Sequence, residues 1–109
     1  MKLINLTPHT LTIVGADGST VRNIPPSGTI ARCAVTRRQV GAVDGIPINR
    51  TDFGAVDGLP DPQPDTFYIV SALVAQAVPN RRDVLITDDA VRDAQGRIVG
   101  CRALATLAR

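Results

Sequence analysis

Glutamate and tryptophan are missing from these 109 residues, and lysine, histidine, methionine and tyrosine occur once each. The three aromatic side chains are Phe53, Phe67 and Tyr68. With so few, the core must be built from Val, Ile, Leu and Ala. Single-stranded nucleic acid also loses the stacking platforms on which it is usually held. Cys33 and Cys101 lie in no CxxC or CxxH pattern, so burial as small apolar residues is the better reading than metal ligation. No apolar run approaches the length of a membrane span. Two cysteines and no secretion-like leading segment predict a reducing, cytoplasmic setting.

What is present is lopsided in kind. All ten acids are Asp, and every basic residue except Lys2 is Arg. The formal net charge of +2 is too small to predict general affinity for DNA or RNA. Arginine instead suits a local site, because its planar fork holds phosphate or carboxylate through paired hydrogen bonds. A GC-rich coding sequence is the competing cause of the same bias. The length fits one domain, residues 1–109, able to bury roughly two-thirds of its unfolded surface.

The stretch around which the chain organises itself runs from Thr66 to Ile86. It reads as a strand, a capping serine at Ser71, a short apolar helix stopped by Pro79, a charged turn at Arg81-Arg82-Asp83, and a second strand. The positions between Ser71 and Asp83 suffice for a crossover between parallel strands, giving one βαβ unit. The helix start at Ser71 and Ala72 then opens beside the carboxyl end of the first strand, where free N–H groups favour an anion.

Before that unit, residues 1–6 read as a strand, and Thr7-Pro8-His9 as a break. Residues 10–14 and 20–24 read as a hairpin turned at Asp17-Gly18. A third strand is predicted over residues 29–35, with Thr36-Arg37-Arg38-Gln39 as a basic turn. Gly41-Ala42-Val43-Asp44-Gly45-Ile46-Pro47 is echoed by Gly54-Ala55-Val56-Asp57-Gly58-Leu59-Pro60, which predicts consecutive antiparallel ribbons joined by similar turns. After the central unit, Thr87-Asp88-Asp89 reads as a loop, and residues 97–104 as a last strand inside the sheet. The sum is an α+β, mostly antiparallel β domain of about seven short strands and one or two helices.

Several stretches together resemble a family of small proteins carried by tailed bacteriophages, prophages and actinobacterial genomes. They are Asn5-Leu6-Thr7-Pro8-His9, Pro26-Ser27-Gly28, Tyr68-Ile69-Val70-Ser71, Val74-Ala75-Gln76-Ala77, Arg82-Asp83-Val84-Leu85 and Val91-Arg92-Asp93 with Gly96-Arg97-Ile98-Val99-Gly100. The resemblance covers nearly the whole chain and assigns no residue a role. It implies a compact phage protein serving virion assembly, control of host machinery, or escape from host defence, the last often by sequestering a nucleotide-derived signal.

The leading expectation is binding, without chemistry, of a small anionic, nucleotide-derived ligand. Its candidate residues are Ser71, Ala72, Arg81, Arg82, Arg32, Arg37, Arg92 and His9. No catalytic residue, metal or cofactor is expected. Ser71 lacks a G-x-S-x-G setting, and Asp83, Asp88 and Asp89 match no loop that supplies six oxygen ligands. A protein-interaction or virion component is the alternative, and a hydrolase of a phosphorylated ligand the third reading. Because a chain this short offers limited walls for a pocket, a homo-oligomer is expected, with no membrane partner.

Overall fold

The computed structural model describes residues 1–108. Among these, eight strands and one helix follow in the order β1 (Lys2–Asn5), β2 (Leu11–Val14), β3 (Thr20–Ile24), β4 (Arg32–Val43), β5 (Ile46–Asp57), β6 (Thr66–Ile69), α1 (Ala72–Ala77), β7 (Val84–Arg92) and β8 (Ile98–Ala105). The architecture is α+β and mostly β, as the alternation and turn signals predict. Among the described residues no helix is long and apolar enough to cross a membrane.

Six strands form one sheet in the order β1-β6-β7-β8-β2-β3. The unit β6-α1-β7 is a parallel crossover, with Tyr68 opposite Val84 and Ile69 opposite Leu85. β1 also runs parallel to β6, placing Ile4 opposite Tyr68. The β2–β3 hairpin forms where Asp17-Gly18 predicts it. Gly18 takes φ 86°, and Asp17 accepts from the N–H and hydroxyl of Ser19 at 3.0 and 2.6 Å. β8 lies inside the sheet, between β7 and β2.

The two ends of this sheet meet. The Asn5 amide Nδ2 in β1 donates to the Ile24 carbonyl at the end of β3, at 3.0 Å, and the Ser27 N–H donates to the Asn5 carbonyl at 2.9 Å. The sheet therefore curls toward a barrel that is left incompletely closed. On its outer side Ile4, Tyr68, Val70, Val84 and Ile86 carry α1 through Val74 and Ala75. Burying that many Val, Ile and Ala side chains supplies the main favourable term of folding, at about 25 cal/mol per Å² of apolar surface removed from water.

The middle of the chain departs from the sequence reading. β4 and β5 are each twelve residues long and pair with one another as a separate two-stranded ribbon. Residues 36–39 lie in mid-strand, Arg37 opposite Thr51 and Arg38 opposite Arg50, and not in a turn. The echo is one hairpin, not two. Asp44-Gly45 is its tip, with φ 51° and 76°, the pair of positive values that a two-residue loop requires. Asp57-Gly58 instead ends β5 at the base, where a Cβ on Gly58 would stand 2.3 Å from the Ile30 carbonyl oxygen. A ladder needs only a partner strand, so β4 continues through charged residues that a burial pattern would have ended.

Thr87-Asp88-Asp89 is likewise strand and not loop, because β8 pairs antiparallel along it, Asp88 opposite Ala103. The residue that breaks regularity there is Asp89, at φ 56°.

Candidate functional site

The anion site read from the sequence is divided by the fold. Ser71 is the N-cap of α1, and its Oγ accepts from the Val74 N–H at 3.3 Å. Ser71, Ala72 and His9 are exposed beyond the carboxyl ends of β6 and β1. Arg32 comes to the same end, since the Ala31 N–H donates to the Leu6 carbonyl at 3.0 Å.

The other arginines go elsewhere. Arg81 and Arg82 follow the helix and precede β7, at the opposite end of the crossover. Arg81 is engaged there: its Nε and Nη2 donate to the two carboxylate oxygens of Asp83, each at 2.8 Å, and Nη2 also donates to the Pro60 carbonyl at 2.9 Å. Those hydrogen bonds hold the Asp83 carboxyl below its ordinary range, against the opposing effect of burial. The same pairing raises the Arg81 guanidinium. Arg92 ends β7, where Nη1 donates to the Gly96 carbonyl at 2.8 Å. Eight steps along the strand, about 27 Å, separate it from Val84. Arg37 projects from the ribbon. A six-residue helix with one local arginine is a weak anion cradle, because its dipole and its set of free N–H groups are both small.

The most prominent surface is the ribbon itself. Ala31, Cys33, Val56 and Leu59 root it in the core. Beyond them every residue from Thr36 to Ala55 is exposed, including Val40, Val43, Ile46, Ile48 and Phe53. Register places Thr36, Arg38, Val43, Ile46, Ile48, Arg50 and Asp52 on one face, and Val35, Arg37, Gln39, Asn49, Thr51 and Phe53 on the other. Arg38 reaches Asp52 at 3.4 Å, while Arg37 and Arg50 make no ion pair among the described residues.

The arm shows in the dimensions of the molecule. Its radius of gyration is 16.3 Å, against about 13 Å for a compact domain of this length. Its accessible surface is 7365 Å², roughly 1,500 Å² above the ~5,800 Å² that scaling gives an 11.5 kDa monomer.

Two of the surface concavities carry charged residues relevant to a ligand. A groove of about 490 Å³ lies across β2, β7 and β8, bounded by Thr10, Thr12, Asp88, Asp89, Ile98 and Val99. Its charge is acidic, the wrong sign for a phosphate. A cleft of about 300 Å³ opens at the unclosed seam of the sheet, where Leu3, Ile13, Ile24 and Leu104 meet Arg22 and Arg102. Arg22 gave no signal in the sequence beyond its place in a strand. The ribbon was legible in one respect only: runs of equal length, free of proline except Pro47, flank Asp44-Gly45.

A scan against protein-family models and searches of curated proteins and of solved structures found no match to this chain.

Proposed function

We propose that this chain is an interaction component that engages a macromolecular partner through the β4–β5 arm. In keeping with the sequence resemblance, it acts as an accessory or virion-associated protein in a phage-bearing bacterial cytoplasm. The observation that carries this reading is the unbroken exposure of residues 36–55 in two paired strands that present Val43, Ile46, Ile48 and Phe53 to solvent. A two-stranded ribbon without a sheet beneath it is marginal in water, and exposed apolar side chains gathered on such a ribbon are the signature of a contact surface.

A photoreactive residue placed at Ile48 and one placed at Ser19 test this in host cells. Irradiation should trap a discrete covalent partner from position 48 and none from position 19, which lies in the β2–β3 turn. Equal trapping from both positions would overturn the reading.

A second reading rests on the seam cleft. Its apolar walls and its two cations, Arg22 and Arg102, suit a small anion with an apolar body, such as a nucleotide-derived signal held without chemistry. Heat release of small molecules from the purified protein, followed by mass spectrometry, tests it. Intact ligand from the wild type and none from Arg22→Ala with Arg102→Ala is the supporting result.

A further inference from the structure

Resting on the reading of the arm as a contact surface, we infer that its occupant is a second copy of this chain, seated in the groove bordered by Asp88 and Asp89. Three observations converge on this partner.

The first is charge. Arg38 and Arg50 stand directly opposite one another in the ladder, a like-charge pairing that destabilises a ribbon left in water. Asp52 answers only one of them. The groove supplies the opposite sign through Asp88 and Asp89. The basic residues nearest in sequence are occupied or turned away: Arg97 pairs with Asp93 at 3.2 Å, Arg92 is bonded to the Gly96 carbonyl, and Arg102 lines the seam cleft. An arm stacked on another arm at the same level would instead set Arg38 and Arg50 against a second such pair.

The second is spacing. On the arm, four residues of strand separate Ile46 at the tip from Arg50. In the groove, the level of Ile98, which pairs with Arg92, lies four residues from Asp88. Both intervals are about 14 Å. A docked arm therefore brings Val43 and Ile46 onto the exposed Ile98 and Val99 as Arg38 and Arg50 reach the two carboxylates. Ile98 and Val99 are 62% and 51% exposed in the single chain, and this contact covers them.

The third is area. The surplus of roughly 1,500 Å² per chain is about twice the ~800 Å² that one partner gives to a standard interface, which suits a chain that lends its arm to one contact and its groove to another. The contact joins unlike surfaces, so two chains exchange arms reciprocally, or the contact continues into a ring or an open filament.

Charge reversal tests this in the full chain. By light scattering on a sizing column, the wild type should elute as two or more copies. Arg38→Asp with Arg50→Asp should weaken self-association by at least about thirty-fold, and so should Asp88→Arg with Asp89→Asn. Asparagine is chosen at 89 because it tolerates the positive φ there. Mixing the two variants should restore the assembly, because each then offers an arm that complements the other's groove. A variant that misfolds cannot be rescued in this way, so restoration excludes a folding artefact. A wild-type monomer that still crosslinks another protein from position 48 overturns the second-copy partner and leaves the arm's role standing. A monomer with no arm-dependent crosslink overturns both. Failure of the mixture to reassemble, with both variants folded, overturns the groove as the seat.

Discussion

Asn5 and Ile24 join the two ends of the six-stranded sheet. The buried Asn5 side chain donates from Nδ2 to the Ile24 carbonyl at 3.0 Å and to the His9 carbonyl at 2.7 Å. Its Oδ1 accepts from the N–H and hydroxyl of Thr7 at 2.9 and 2.6 Å. One amide thus satisfies the backbone of the first loop and bridges to the edge strand. Asn5→Ala should cost about 1–3 kcal/mol in urea unfolding, since it strands buried carbonyls and an N–H. Asn5→Asp should cost at least as much at neutral pH, because a carboxylate oxygen replaces the donor that faces two carbonyl oxygens.

The Arg81–Asp83 pair should make stability depend on acid. The folded carboxyl titrates below its unfolded value of about 3.9, so its contribution is complete above that value and is lost as pH falls through the lower, folded one. Arg81→Met should destabilise by about 1–3 kcal/mol at pH 7, leaving a largely buried carboxylate without its donors. The gap between variant and wild type should narrow below pH 4. Denaturant midpoints at pH 7, 5 and 3 measure it, and a gap independent of pH would contradict the assignment.

The two halves of the sequence echo should respond differently to the same change. Gly58→Ala places a methyl 2.3 Å from the Ile30 carbonyl oxygen at φ 79°, and should cost more than about 2 kcal/mol. Gly45→Ala meets nothing within 4 Å and pays only for its positive φ, about 1–2 kcal/mol. Thermal melts of the two variants side by side should rank them in that order.

Arm and root should separate in the same way. At concentrations low enough to keep chains apart, Ile46→Lys with Ile48→Lys should change unfolding free energy by no more than about 0.5 kcal/mol, because both side chains are already in water. Leu59→Ala, which removes packing from the core, should cost about 1–3 kcal/mol.

The strand-helix-strand unit was legible because its signals are local and agree with one another. An unbroken apolar run gives β6, Ser71 caps, Pro79 stops, and a second apolar run gives β7. The β2–β3 hairpin was legible from Asp17-Gly18 for the same reason. The ribbon was not, because its strands are stabilised by each other and carry no buried face. A pattern-based reading looks for burial, finds Arg37-Arg38-Gln39, and breaks the strand. Asp44-Gly45 and Asp57-Gly58 are the same dipeptide, with similar φ at glycine, 76° and 79°. Only Asp44-Gly45 reverses a hairpin, because Asp44 as well as its glycine takes a positive φ, whereas Asp57 is still strand and Gly58 packs against the Ile30 carbonyl.

The residues by themselves determined an aliphatic core, one crossover, one capped helix and an arginine-rich surface, since each follows from side-chain chemistry within a few positions. Tertiary structure decided where the arginines go and what the middle of the chain does. A guanidinium's neighbours are set by strand order and register, which bring together groups far apart in sequence. That is why Arg81 bonds Asp83 and the Pro60 carbonyl, Arg22 and Arg102 line one cleft from strands on either side of β2, and Arg38 faces Arg50 on an arm that stands clear of the core.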